Sequence, residues 1–267
     1  MALIQGLAPI QRLLVTGRAI VGAVGFCTRF PVGHSRGYWD SFRRQPAVMV
    51  LAAYVIGVLA VVPLVVGLPA ATATFLFLVW LYLLTGITHL DGLADLGDAM
   101  AVHGDREKRK EVMTDSSVGV GALAAVILVL VGLALAANSL ADFHWQAAVA
   151  VVVTAEVGAK AGVVLLIALG TPAHEGLGSA LSAESSAETL LAGAAFSVPV
   201  VALWYLLPGV SPVVPAAAFA AALIGAGAVF LWASRYLGGV SGDVFGAANE
   251  ISRVLALHAG VIVWMQW

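Results

Sequence analysis

Long runs of apolar residues, separated by short polar stretches, occupy most of this chain of 267 residues. Hydrophobic residues make up 61% of the sequence and charged residues only 10%, whereas about a quarter of the residues in a soluble domain are charged. Because about 20 apolar residues cross a bilayer as a helix, the runs have the length of membrane spans. The sequence therefore excludes a soluble globular domain and predicts a multi-pass helical membrane protein.

The apolar runs predict an all-α, polytopic bundle of about seven membrane helices, with residues 1–267 forming a single membrane-embedded domain. The predicted spans cover approximately residues 46–66, 69–90, 118–137, 147–169, 190–207, 213–233 and 251–267. Before them, the segment from Ala8 to Phe30 is interrupted by Arg12, Arg18 and Arg29. Such a pattern is typical of an amphipathic or half-inserted helix.

The placement of basic residues predicts the orientation in the membrane. Six Lys and Arg residues lie within residues 12–44 and four within 106–110, and cytoplasmic loops carry the excess of such residues. Two spans separate these regions, so both face the cytoplasm of a cell-membrane protein. The same crossings place three polar stretches on the cytoplasmic side, at residues 91–117, 170–188 and 234–250. The net charge of −2 indicates no overall basic surface for nucleic acid. The apolar spans make the lipid bilayer the expected partner.

Three acids in the first polar stretch predict a metal site. Asp91, Asp95 and Asp98 follow an i, i+4, i+7 spacing, which places them within roughly a 60° arc of a helix. Carboxylates this close repel each other unless a cation neutralises them, and oxygen ligands suit Mg²⁺ or Mn²⁺. His89 precedes them and is open to three interpretations: a base, a metal ligand or an interfacial polar residue.

Other polar residues leave alternatives open. Asp243 and Glu250 are seven residues apart and could share a helix face. Asp115 and Ser116 precede an apolar run, where they would either cap a helix or contact a phosphate or metal. The lone cysteine, Cys27, excludes an intramolecular disulfide.

Glu156 and Lys160 lie within a predicted span at an i, i+4 spacing and are expected to pair with each other in the bilayer. Such a pair has either a structural role or a functional one. A functional pair would be the centre of a secondary transporter.

Five strings occur in the order expected for the adenosylcobinamide-GDP ribazoletransferases, also called cobalamin synthases, and the sequence resembles that family over nearly its whole length. The strings are TRFPV at 28–32, HLDGLAD at 89–95 followed by Asp98, MTDSSVGVG at 113–121, HEGLG at 174–178, and GGVSGD at 238–243 followed by Gly246 and Glu250.

The resemblance implies a Mg²⁺-dependent enzyme that joins adenosylcobinamide-GDP to α-ribazole or α-ribazole 5'-phosphate and releases GMP. It implies catalytic roles for His89, Asp91, Asp95 and Asp98, with Asp243 joining the three acids as a metal ligand. The substrate contacts that it implies are Asp115, Ser116, Glu175, Gly239, Ser241 and Glu250. The oligomeric state stays open, with a homo-oligomer among the options.

One position departs from the family pattern, since Ser117 stands where family members often carry Arg. The cations that could replace it are Arg29, Lys160, Arg235 and Arg253. A CDP-alcohol phosphotransferase is an alternative family with a carboxylate cluster at a span end, but its string has Arg after the Asp-Gly-x-x-Ala segment. Here Asp95 follows Ala94.

Overall fold

The computed structural model describes residues 16–206 and 209–266. Within these residues the secondary structure is helical apart from one isolated parallel bridge, between Pro172 and Val240, which confirms the all-α prediction. A 3₁₀ turn, Pro46–Val48, precedes the helix that begins at Met49. The helices are α1 Thr16–Cys27, α2 Arg36–Arg43, α3 Met49–Ala60, α4 Val62–Val65, α5 Ala70–Thr85, α6 Thr88–Ala101, α7 Arg106–Met113, α8 Val120–Ala141, α9 Trp145–Leu169, α10 Leu177–Ser182, α11 Ala187–Leu206, α12 Val213–Tyr236 and α13 Gly242–Trp264.

Three helices of the described chain, α8, α9 and α12, are long and apolar enough to cross a membrane. Two bent pairs raise the number to five if each pair is one span: α2 with residues 46–60, bent by 100°, and α5 with α6, bent by 98°. The helix α1 and residues 187–202 of α11 are apolar but shorter. The structure thus supports three to five spans, and the count of seven is not confirmed.

A glycine corner separates the apolar α5 from the polar α6. Gly86 has φ of 75°, a left-handed conformation that side chains with a Cβ rarely adopt. Its N–H makes the last helical bond, to the carbonyl of Tyr82, and its left-handed backbone ends α5. The continuous apolar run that the sequence shows up to Leu90 is therefore broken, and α6, with three acids in its 14 residues, is not a span on its own.

Helix α9 forms the centre of the bundle. Almost all of its side chains from Ala147 to Ile167 are buried, and it packs against α3, α11, α12 and α13. In turn, α13 packs against α6, α8 and α12. Because α13 touches both α9 and α6, it connects the apolar centre of the bundle to the polar helix.

The N-terminal helix packs on the bundle through small side chains. Ala19, Ala23 and Cys27 are spaced by four residues and are all buried, so one face of α1 contacts the core. This helix covers part of the predicted amphipathic segment, whose residues 8–15 lie outside the described residues.

The start of α13 differs from the predicted boundary at residue 251. The helix begins at Gly242, with the Ser241 hydroxyl accepting from the N–H of Val244 at its N-terminus. Asn249 and Glu250 belong to the interior of the bundle and are buried. Their polarity suggested a loop, but both side chains have polar partners inside the protein.

Candidate active site

Two glycines bring α6 and α13 into close contact. A Cβ added at Gly92 would lie 2.6 Å from the Cα of Asp243, and one at Gly246 would lie 3.0 Å from the Cα of His89. Only residues without a side chain allow two helices to approach this closely. The acids of α6 are consequently held beside the N-terminus of α13.

The carboxylates of the two helices form a cluster around Asp95. Partial burial and then the negative charges of Asp243, Asp91 and Asp98 raise the pKa of Asp95 to about 6. Like charges disfavour ionisation of one another, whereas a bound cation would favour it. The cluster therefore has the electrostatic character of a cation site.

Asp98 has a further set of contacts. Its Oδ2 accepts from the N–H of Gly119 at 2.7 Å, and its Oδ1 accepts from the N–H of Ala122 at 2.9 Å. These donors belong to the N-terminus of α8, where backbone N–H groups lack partners within the helix. Asp98 thus joins α6 to α8, and its metal-binding role stays a prediction.

A cavity of about 620 Å³ opens beside the cluster. Asp91 and Asp243 line it together with His89 and Lys160, and Phe26 and Trp39 are among its apolar residues. A volume of this order is typical of small-molecule sites. The Nδ1 of His89 is buried and has no hydrogen-bond partner within the described residues.

Two predicted motif loops lie side by side. The N–H of Ala173 donates to the carbonyl of Val240 at 2.9 Å, and the N–H of Val240 donates to the carbonyl of Thr171 at 2.8 Å. This pairing places Gly239 against the strand-like segment 171–173 and brings His174 to the cavity.

The predicted substrate contacts of these loops have different positions. Ser241 is buried at the start of α13, where its hydroxyl donates to Asp243 Oδ2 at 3.3 Å. Glu175, by contrast, is exposed and is absent from the lining of the 620 Å³ cavity.

The Asp115–Ser117 segment forms an exposed turn. Asp115 Oδ1 accepts from both the N–H and the hydroxyl of Ser117, at 2.9 and 2.8 Å, and these bonds lower the pKa of Asp115. Ser116 is exposed beside it. Ser117 thus stabilises the local turn.

A second cavity, of about 240 Å³, is lined by a lysine that was not among the site residues predicted from the sequence. Lys110 lines it together with Thr114 and Ser241, and its Nζ donates to the carbonyl of Ala173 at 3.3 Å. His174 and Asp243 line both cavities, so the two are adjacent. Lys110 belongs to a run of acidic and basic residues at 105–111, and no sequence feature separates it from neighbours that are expected to face solvent.

Glu250 does not face the cavity, because it belongs to a buried ion cluster. Arg253 donates to Glu250 Oε1 at 2.5 Å and to Glu156 Oε2 at 3.2 Å. The hydroxyl of Tyr82 donates to Glu250 Oε2 at 3.1 Å. Arg253 is therefore paired with two carboxylates and is not a free cation for the site.

The predicted pairing of Glu156 with Lys160 is wrong. Glu156 pairs with Arg253, and the Nζ of Lys160 donates to Asn249 Oδ1 at 2.5 Å. A fixed guanidinium that presents two donors to a carboxylate outcompetes a flexible ammonium on the same helix. The i, i+4 spacing concerns pairs within one helix, so it could not predict the partners that α13 supplies.

Of the four cations predicted to replace the family's Arg, only Lys160 lines the larger cavity. It is buried, and its single bond to Asn249 leaves two donors. The other predicted candidates are Arg29, Arg235 and Arg253.

The donor set fits Mg²⁺. Within the described residues no three His, Cys, Asp or Glu side chains already converge on one metal position. Proteins commonly hold Mg²⁺ with one or two carboxylates, leaving the other positions to water and substrate phosphates. Asp91 and Asp243 supply such carboxylates at the edge of the 620 Å³ cavity, and the charges of both act on Asp95.

Comparison with known proteins identifies the family. The family model for cobalamin-5-phosphate synthase matches residues 19–261. A protein named adenosylcobinamide-GDP ribazoletransferase from Halorubrum lacusprofundi is 46% identical, over 93% of this chain and 98% of that protein. Proteins of the same name from Haloquadratum walsbyi and Methanocella arvoryzae are 43% and 35% identical, each over 92% of this chain and over 98% and 96% of their own lengths. No solved structure gives a significant match. The chain belongs to the cobalamin-5-phosphate synthase family.

Proposed function

We propose that the protein transfers the adenosylcobinamide-phosphate group of adenosylcobinamide-GDP to a ribose hydroxyl of α-ribazole or α-ribazole 5'-phosphate. The hydroxyl oxygen forms a bond to the phosphorus nearest the cobinamide, and the bond from that phosphorus to the bridging oxygen breaks. GMP leaves with the bridging oxygen, and the hydroxyl proton passes to a base. The names of the relatives support this reaction.

The observation that carries the proposal is the carboxylate cluster at the cavity. Asp91, Asp95 and Asp243 would hold Mg²⁺, which when bound offsets negative charge on the pyrophosphate. The acids would orient the substrate indirectly, because they fix where the cation, and with it the phosphates, would bind. Most of the rate in phosphoryl transfer comes from such positioning and electrostatics.

Two lysines supply the positive charge that Ser117 lacks. Lys160 lies in the wall of the larger cavity and Lys110 in that of the smaller one, and Asp243 borders both. We assign these ammonium groups to the pyrophosphate oxygens. His89, which lines the same cavity, is the candidate acceptor of the hydroxyl proton.

Conversion of defined substrates tests this function. We expect the purified protein in lipid, given adenosylcobinamide-GDP, α-ribazole and Mg²⁺, to release GMP and the completed corrinoid in equal amounts, as followed by mass spectrometry. GMP without new corrinoid would indicate hydrolysis instead of transfer. Absence of both products, from protein that is folded and metal-loaded, would contradict the proposal.

We also propose that the site faces the cytoplasm across the cell membrane, as the excess of basic residues in 12–44 and 106–110 supports. Asn138, near the end of α8, and Ala183, after α10, are both exposed and are separated by the full length of α9. Cysteines at these positions should react with an impermeant thiol reagent from opposite sides. The buried Cys27 gives the unlabelled background. Labelling of both cysteines from one side would contradict the topology.

A further inference from the structure

A cavity separate from the proposed active site lies between the start of α7 and the end of α12. Its volume is about 380 Å³, and it is lined by three arginines, Arg106, Arg109 and Arg235, with Tyr236 and the acids Asp105 and Glu107. It shares no lining residue with the two cavities that border Asp243. The proposed reaction does not use it.

The three guanidinium groups have no carboxylate partner. Within the described chain none of them forms an ion pair. Arg106 donates to the carbonyl of Arg235 at 3.4 Å, and Arg109 donates to the carbonyl of Ala99. Asp105 is used as the N-cap of α7, accepting from the N–H of Lys108. The positive charge of these three arginine side chains is therefore available to bind an anion.

Aromatic rings hold two of the arginines in place. The guanidinium carbon of Arg109 lies 5.3 Å from the ring centre of Tyr236 and 5.9 Å from that of Trp232. That of Arg235 lies 5.6 Å from the Tyr236 ring. Guanidinium groups stacked in this way keep their N–H donors directed outward, where they match phosphate oxygens in pairs.

The position of the cavity on α12 indicates the source of the anion. α12 is one of the candidate membrane spans, and Ile224 and Leu231 each expose 69% of their surface. Such apolar exposure along a span marks its lipid-facing side. Arg235 follows Leu231 by four residues and so continues the same face one turn further. At that depth a span meets the lipid headgroups.

We propose that Arg106, Arg109 and Arg235 form a binding site for the phosphate headgroup of an anionic phospholipid. The acyl chains lie along the apolar face of α12 that carries Leu231. The headgroup phosphate accepts from the guanidinium groups, and this contact fixes the start of α7 on the end of α12.

Native mass spectrometry of the full-length protein tests the proposal. The protein, delipidated in a neutral detergent, is given equal amounts of phosphatidylglycerol and phosphatidylcholine. We expect a several-fold excess of bound phosphatidylglycerol. Since each surface arginine contributes about a five-fold factor to binding of anionic lipid, Arg235→Gln and Arg106→Gln should each lower the excess by about that factor. Lys108→Gln, on the same helix but outside the cavity lining, is the matched control and should leave it unchanged.

Three outcomes would overturn the proposal. The first is equal binding of the two lipids by the wild type. The second is an excess that survives in Arg235→Gln, whose side chain makes no hydrogen bond within the described residues and whose folding should be unaffected. The third is complete displacement of phosphatidylglycerol by inorganic phosphate, which would assign the site to a soluble phosphate ligand.

Discussion

Replacing Asp95 with Asn should reduce product formation by about 10²–10³-fold, the range for removing one group that stabilises charge in a transition state. The substitution keeps the size of the side chain but removes the charge at the centre of the carboxylate cluster, where Asp243, Asp91 and Asp98 act on it. Steady-state assay of GMP release measures the effect.

The matched control is Asp142→Asn. Asp142 is an exposed acid that follows the C-terminus of α8, away from the cavity linings described here. Its rate should equal that of the wild type. If the Asp95→Asn protein is folded and keeps the wild-type rate, Asp95 is not part of the active site.

Replacing Arg253 with Met should have the largest effect on stability. It leaves the carboxylates of Glu156 and Glu250 buried without their cation, and breaking a buried ion pair in this way costs about 3–5 kcal/mol. We expect the melting temperature in detergent, followed by tryptophan fluorescence, to fall by roughly 10 °C.

Two further variants give this prediction its controls. Arg36→Met makes the same change at an exposed arginine that forms no ion pair within the described residues, and it should shift the melting temperature little. The triple variant Glu156→Gln, Glu250→Gln, Arg253→Met removes all three charges and should recover most of the loss. A single Arg253→Met protein as stable as the wild type would contradict the structural role of the cluster.

The sequence predicted those features that depend on local patterns. The predicted spans fall on helical parts of the chain, because long apolar runs favour helices, but only α8, α9 and α12 are single helices long and apolar enough to cross a membrane within the described residues. The shared helix of Asp91, Asp95 and Asp98 also follows from spacing. Their separate contacts do not, since Asp98 is held by N–H groups of α8, 21 and 24 residues further along the chain.

Features that depend on contacts between helices were not predicted from the sequence. The carboxylate of Glu156 is bound by Arg253 from a helix 97 residues away, and its same-helix neighbour Lys160 finds Asn249 instead. The glycine corner at Gly86 divides an apolar run that composition alone reads as continuous. In each case the structure depends on a partner from another helix or on a backbone angle, and local hydropathy predicts neither.

Binding of Mn²⁺, used as a spectroscopic substitute for Mg²⁺, tests the central claim that acids of α6 and α13 hold one cation at a shared site. The free Mn²⁺ signal in electron paramagnetic resonance gives the affinity in the presence of adenosylcobinamide-GDP without its acceptor. We predict that Asp95→Asn and Asp243→Asn each weaken binding by about tenfold or more, equivalent to about 1.4 kcal/mol, while Asp142→Asn does not. Unchanged affinity in both site variants would contradict the account.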